Sequence, residues 1–505
     1  MAFKTLLLPP GIERNATPYD TANRWWDMNL VRWQAGTLRP LGGWQRATSV
    51  PLDSTARGIH MYRDNSNVRH ILVGSEAKLY IDTGSTFTDI TPTNFVPLEQ
   101  IGTAAGYGTL EYGYYTYGDA RPGTTTLYSS LPFWSFSNWG EDVILTANSD
   151  GNLYYYVTTT VTTKPTKITT GPGGVSCVVV TDERHCMAIG ASLTGIAGAA
   201  QRRVAWSSRE DYTDWNVAST TNTSGYLDLD ARTPLTKAVK VREGVLILSL
   251  SEAYLARYVG LPFIYGIERI ADTTILSPAA FAEFSGKAMW MGRNGFWFYE
   301  GGFIKPIECP IANDIFANID PIYGSRRSHA IHNGSFPEVW FFYPTVGNAE
   351  TNRYVIYNYA EGWWSWGELS RTAGVSGETY PHPFMAGTDG HLYEHELGWT
   401  DAGNPRTNIY AETGMLPLTD GSRGITINQV LPNNGDGYDS LKIKFYSRQT
   451  PEGAEKVWPS YTPRSNGYTD CRVSGRDIRI RIEATKDIDW SIGSMRFNVE
   501  QGTGR

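Results

Sequence analysis

The sequence predicts an all-β chain: a β-propeller of six to eight blades with a β-sandwich-like domain after it. Three observations carry this. Apolar residues alternate with period two, an aromatic hairpin phrase recurs, and the pattern changes character near residue 404. Val245–Leu250, Lys442–Tyr446 and Asp477–Ile482 are runs of the alternating kind, as half-buried strands require. Helical spacing is scarce. One stretch, Ile311 to Ile319 after Pro310, is long enough for about two turns, with Asn313 or Asp314 placed to cap its start.

The recurring phrase is a turn of Gly, Asn or Asp followed by an apolar residue beside an aromatic. It occurs as Gly74–Tyr80, Ser149–Tyr154, Leu250–Tyr254, Arg293–Trp297 and Thr388–Tyr393, with weaker echoes at Val204–Trp206 and Val355–Tyr357. Asp-Gly and Asn-Gly pairs suit tight hairpins because both residues tolerate positive φ. The aromatic anchors fall at 80, 154, 206, 254, 297, 357 and 393. Most intervals lie near the roughly 40–50 residues of a four-stranded blade. Such a sheet has two apolar faces, and radial stacking buries both. The long first interval is assigned to a loop, 101–130, rich in Gly, Tyr and Thr.

The chain divides into three domains: an N-terminal arm over 1–50, the propeller with its inserted loop over 51–404, and a C-terminal β domain over 405–505. Fifty-two Gly, twenty-seven Pro, seventeen Trp, thirty Tyr and eighteen Phe in 505 residues fit many short strands joined by turns.

The formal charge of −7 argues against a surface built to grip nucleic acid, since phosphate neutralisation by Lys and Arg supplies most of that affinity. It allows a wall along which DNA slides. Cys177, Cys186, Cys309 and Cys471 match no zinc pattern and are expected as buried free thiols, with a Cys177–Cys186 bridge as the alternative. The start of the chain lacks the apolar run of a signal peptide, and no stretch suits a membrane helix, so membrane insertion is not expected.

Enzymatic patterns fail on context. His391-Leu392-Tyr393-Glu394-His395 fits H-x-x-E-H, but it follows Asp389-Gly390 and belongs on a strand, where Glu394 faces away from both histidines. His329 and His332 face opposite sides of a strand, one expected to be buried and the other solvated. Asp228 with Asp230, or Glu141 with Asp142, are acidic pairs of the kind a glycosidase uses, with nothing beside them to single one out. No P-loop and no G-x-S-x-G elbow occurs. No catalytic residue, metal or cofactor is therefore expected, and the chain is read as a non-enzyme.

The tryptophan clusters Trp25-Trp26 and Trp363-Trp364-Ser365-Trp366 present rings on both faces of a strand, so both faces need cover. Core packing supplies it in a propeller. A neighbouring subunit is the other source, which makes Trp25, Trp26, Trp33, Trp363 and Trp364 candidate interface residues.

Leu30-Val31-Arg32-Trp33, followed by Leu38-Arg39-Pro40-Leu41-Gly42-Gly43-Trp44, resembles the opening of the tail nozzle or tail-hub proteins of short-tailed bacteriophages, also called DNA-stabilisation proteins. Phe133–Asp142, Trp206-Ser207-Ser208 with Asp214-Trp215, Gly292–Phe296 and Glu338–Pro344 are similar to further stretches of that family, in order along residues 10–500. The resemblance implies a propeller subunit of a homohexameric ring in the virion tail, made in the host cytoplasm. The ring would sit below the portal and adaptor proteins, extend the DNA channel, retain the packaged genome, allow its ejection and carry tail fibre or tip proteins. DNA would pass through the lumen without tight binding. The loop 101–130, with Glu111, Tyr114, Tyr115, Asp119 and Arg121, is the candidate channel loop. The alternative class is a tail-associated carbohydrate-binding protein or depolymerase.

Overall fold

The computed structural model describes residues 3–15, 21–84, 86–98, 102–104, 125–127, 132–198, 200–376, 381–416, 418, 424–434, 440–450 and 453–501. Seven four-stranded antiparallel sheets occur among them, each built by consecutive strands except the last. Their first strands are Ala56–Arg63, Trp134–Trp139, Cys177–Val180, Leu235–Val241, Phe281–Phe284, His329–Asn333 and Ala373–Val375. These innermost strands surround one axis, and that of the seventh blade touches that of the first. The chain is a seven-bladed β-propeller.

The seven aromatic anchors all fall in the third strands of their blades: Leu79–Asp82, Tyr154–Tyr156, Arg203–Trp206, Glu252–Gly260, Phe296–Glu300, Arg353–Asn358 and Leu392–His395. The recurring phrase is the hairpin from second to third strand. In two blades its chemistry repeats closely: Tyr154 donates to Asp150 and Tyr393 to Asp389, each at 2.6 Å, so the turn aspartate holds the tyrosine four residues on.

Separate apolar clusters fill the spaces between blades. Tyr62, Leu72 and Ile81 of blade one meet Trp134, Leu145 and Tyr154 of blade two, and Val239, Leu246 and Leu255 of blade four meet Phe281 and Trp290 of blade five. The close approach of blades one and two depends on a missing side chain. A Cβ on Gly74 would lie 2.5 Å from the Trp134 ring, whose Nε1 donates to Ser75 O at 2.8 Å.

The seventh blade is completed by the other end of the chain: Trp44–Arg46 pairs antiparallel with Leu392–His395. Two further sheets form a sandwich. One joins Val31–Gln34, Thr37–Pro40, Ile492–Gln501, Ile425–Asn434 and Thr469–Gly475, with Phe3–Leu6 also on Ile492–Gln501. The other joins Trp25–Asn29, Tyr410–Thr413, Asp477–Ala484, Leu441–Arg448 and Lys456–Val457. The N-terminal arm expected over 1–50 is thus divided between sandwich and propeller. The C-terminal β domain expected over 405–505 is completed by N-terminal strands, and its core is continuous with that of blades five to seven.

Other local expectations are adjusted as well. The helix is Ala312–Asn318, with Ile311 at its start and no cap from Asn313 or Asp314; instead Asn15 Oδ1 accepts from Asn313 N at 3.1 Å. An acceptor near the chain start supplies what local sequence was expected to supply. Within the loop 101–130, Gly102–Ala104 pairs with Thr125–Leu127; Glu111, Tyr114, Tyr115, Asp119 and Arg121 lie outside the described residues. All four cysteines are buried and free. Cys177 stands opposite Ile189 and Cys186 opposite Val180, so the strand register keeps the two apart. Among the described residues no helix is long and apolar enough to cross a membrane.

Gly74→Ala should destabilise the protein by about 1–3 kcal/mol in urea unfolding, because the new methyl group forces the Trp134 ring aside. Gly173, whose Cβ direction is open, serves as the control, with Gly173→Ala expected to stay within about 0.5 kcal/mol of wild type.

Candidate functional site

The joint between propeller and sandwich is built from a charged residue inside an apolar strand. Arg32 lies in Val31–Gln34 with its side chain 2% exposed, between the carboxylates of Glu338 in blade six and Glu396 just beyond blade seven. Glu396 accepts from Arg32 Nη1 at 3.2 Å and Nη2 also reaches it, while Arg32 Nε stands 3.3 Å from Glu338. The guanidinium also lies over the Phe336 ring at 3.8 Å. Gly42 N, at 3.0 Å, and Asn333 Nδ2, at 3.2 Å, donate to Glu396, and Trp340 Nε1 donates to Glu338 at 2.9 Å.

One guanidinium faces two buried carboxylates, so the cluster carries an unbalanced negative charge unless a proton joins it. Burial, the largest influence, pushes the Glu338 carboxyl up to about 7 against the attraction of Arg32. For Arg32, burial is again the largest single influence and acts downward, but the charges of Glu338 and Glu396 together outweigh it and hold the group above the ordinary arginine value. Burial thus favours the protonated form of Glu338.

The tryptophan clusters serve the same joint. Trp366 Nε1 donates to Asp27 at 3.0 Å, Trp364 Nε1 to Glu308 O at 2.9 Å, and Trp364 O accepts from Ile12 N at 3.1 Å. Asn29 Oδ1 accepts from Glu368 N at 2.7 Å. Trp25, Trp33 and Trp364 are buried within the chain itself, and Trp25 packs on Trp33 with ring centres 5.5 Å apart. The cover that these rings need comes from this chain's own core, so they are not available as subunit anchors. Trp26 and Trp363 are half-buried, and Arg14 lies 4.8 Å from the centre of the Trp26 ring.

The candidate chemical pairs are placed apart or held in structural contacts. His395 lies on a strand and its Nε2 accepts from Arg371 Nε at 2.9 Å, whereas His391 Nδ1 stands 3.3 Å from Thr48 O. Arg203 holds Asp228 through both carboxylate oxygens, at 2.6 and 2.9 Å. Asp142 accepts from Thr158 N and Tyr155, and Glu141 from Asn65 N. His329 and His332 are both buried, where one was expected in solvent. A propeller blade is covered on both faces, so neither side of its first strand meets water: His329 stacks on Phe342 and His332 on Phe284.

The propeller's own axis holds a cavity of about 430 Å³ walled by all seven first strands. Lys237, His60, Arg57, Glu283 and His329 stand on its wall. Sequence reasoning passed over Lys237 and Arg32. The signal for each was a lone cation interrupting an apolar strand, in Leu235-Thr236-Lys237-Ala238-Val239 and Leu30-Val31-Arg32-Trp33.

No family model and no curated protein matches the chain. Among solved structures, the β-propeller domain of Cps50 (Swd1) from Myceliophteria thermophila is similar over 70% of this chain and 99% of its own, at 9% identity and a TM-score of 0.40. YCF48 bound to D1 peptide is similar over 73% of this chain and 97% of its own, at 10% identity and a TM-score of 0.40. YCF48 from Cyanidioschyzon merolae is similar over 70% and 98%, at 9% and 0.37.

Arg32→Met should cost about 3–5 kcal/mol, because it leaves two buried carboxylates without their cation. Glu338 has a raised folded pKa, so between its unfolded value near 4.5 and about 7 the folded state binds more protons than the unfolded state. Its contribution is complete below that window and is lost as pH rises through about 7. Glu338→Gln, which imitates the protonated acid, should flatten the dependence of urea midpoint on pH between 4.5 and 7; an unchanged slope would remove Glu338 as its source.

Proposed function

We propose that this chain is a structural subunit of the tail nozzle or hub of a short-tailed bacteriophage, acting without turnover as one member of a six-fold ring. The observation that carries the ring is an apolar knob left in solvent. In blade four the strands Glu252–Gly260 and Ile264–Asp272 run out to a hairpin whose tip exposes Val259, Leu261 at 79% and Phe263 at 76%. The outer strand of blade five touches this hairpin's second strand and adds Phe303, 80% exposed. Apolar side chains gathered at one edge are a surface for another protein. A ring requires such a patch to meet a different patch on the next copy.

The assignment to a phage tail rests on the resemblance. Arg32 belongs to the first of the family-like stretches and Glu338 to the last, and here the two meet in one buried cluster. The propeller's axial cavity has a volume of only about 430 Å³. In this reading DNA passes through the lumen between subunits, and the adaptor, fibre and tip proteins are the ring's neighbours. The charge of −7 per subunit, repeated around the ring, keeps that wall from holding phosphates.

Mass photometry and class averages of the purified chain should give hexameric rings. Leu261→Asp with Phe263→Asp should return monomers with an unchanged melting temperature, since both side chains stand in solvent. A monomer at tens of micromolar, together with saturable binding in a glycan screen, would replace the ring with the carbohydrate-binding alternative. Duplex DNA should bind no tighter than about micromolar at physiological salt.

A further inference from the structure

Where the second strand of blade six turns into the third, the surface holds a pocket of about 350 Å³, within the roughly 300–1,000 Å³ typical of small-molecule sites. Three separate parts of the chain build its wall. Blade six supplies Tyr343 at the end of its second strand, Arg353 at the start of its third and Trp366 in its fourth. The helix Ala312–Asn318 supplies Asp314 and Asn318, and the N-terminal segment supplies Arg14. Both guanidinium groups lie on one ring: Arg14 is 4.7 Å and Arg353 5.0 Å from the centre of Trp366, and Arg14 is also 4.8 Å from that of Trp26. Such stacking fixes a guanidinium plane and leaves its N–H edge to other partners. Neither edge is fully used. Arg14 makes no side-chain hydrogen bond among the described residues, and its Nε stands 3.4 Å from Asp314. Arg353 donates through Nη2 alone, at 3.2 Å, to Glu368, which is outside the pocket and mostly in solvent.

The third donor is Tyr343. The residue is 1% exposed, yet its hydroxyl makes no hydrogen bond among the described residues and is not sealed from solvent, so it opens on this pocket. Burial, the largest influence, raises its pKa and keeps the group a proton donor; Asp314 and Cys309 act in the same direction, and Arg353 and Arg14 against it. The cations that face the hydroxyl are therefore the two stacked on Trp366. The charged groups on the wall are two cations, Arg14 and Arg353, and one anion, Asp314, which leaves one positive charge in excess. Two guanidinium edges and a hydroxyl offer three donor groups to one space, and a hydrogen bond from a cation to an anion is among the strong ones. A phosphate monoester carries three terminal oxygens, one for each donor group. A carboxylate or a phosphodiester carries two.

We propose that this pocket binds a small phosphate monoester, whose terminal oxygens accept from Arg14, Arg353 and the Tyr343 hydroxyl. The site is separate from the apolar knob of blades four and five, and monomer and ring alike should carry it. The phosphodiester backbone of DNA lacks the third terminal oxygen and is not its ligand.

Three probes at one ionic strength separate the parts: glycerol 3-phosphate as the monoester, dimethyl phosphate as the diester, and acetate as the carboxylate. Calorimetric titration of the full chain should show saturable binding of glycerol 3-phosphate, with dimethyl phosphate and acetate each weaker by about tenfold or more. Tyr343→Phe removes only a hydroxyl that bonds to nothing in the fold, so its melting temperature should not change, and it should weaken glycerol 3-phosphate by about threefold or more. Arg14→Gln should weaken it by about tenfold or more. The proposal is overturned if glycerol 3-phosphate does not saturate by about 10 mM, or if dimethyl phosphate or acetate binds as well. Equal binding by folded Tyr343→Phe or folded Arg14→Gln protein would overturn it too.

Discussion

The interaction on which the rest of this structure depends is the pairing of Trp44–Arg46 with Leu392–His395. A propeller is a closed ring of sheets, and its last blade has an open edge until a strand from the opposite end of the chain fills it. That strand brings two ends of a long loop together, at an entropic cost that grows only slowly with loop length. The closure is held by the neighbours it brings into place. The strands just before Trp44 have nowhere to go except beside blades six and seven, and there they complete both sheets of the sandwich. The sandwich in turn fixes the N-terminal segment, so the closing strand cannot peel away without exposing the core that the sandwich shares with blades five to seven.

Charge is treated in two different ways beside the closing strand. Arg32 is surrounded by more carboxylate than it can neutralise, and burial favours the protonated form of Glu338. Arg371 is the opposite case. It is buried against the rings of Trp44 and Tyr393, donates to the neutral His395, and burial lowers its pKa to about 10. Both cations pack beside the closing strand or the segment that leads into it, and both use aromatic faces where water would otherwise solvate them. The tryptophans concentrated at this joint therefore do two things: they supply apolar area, and they give buried guanidinium groups a favourable surface.

Much of the propeller was legible because its repeat is local. A hairpin phrase such as Ser149–Tyr154 or Thr388–Tyr393 states its turn and its strand within six residues, and its recurrence bounds the blades at six to eight. Features that depend on distant partners were not legible. For Trp25, Trp33 and Trp364 core packing was the favoured reading with a subunit interface as the other candidate, and their burial within this chain decides for the core. The helix at Ala312–Asn318 takes its N-terminal contact from Asn15, which no local capping rule could locate. One of His329 and His332 was expected in water because a lone strand has an outer face; in a blade, Phe342 covers His329, and Phe284 and Tyr359 cover His332.

The same contrast explains why the axial cavity escaped a reading of motifs. A ligand site on a propeller axis takes at most one or two side chains from each first strand, so its members are spread across the whole chain and share no spacing. Lys237 and His329 stand on different blades, separated in sequence by all of blade five. The trace such a site leaves in sequence is a polar residue where strand alternation calls for an apolar one, and that trace is shared by purely structural ions such as Arg32. The two kinds separate only when partners are counted. Arg32 has carboxylates on two sides, whereas Lys237 is half-exposed beside the Phe133 ring, with Glu283 on the same wall. A buried charge whose compensation is complete holds a fold together.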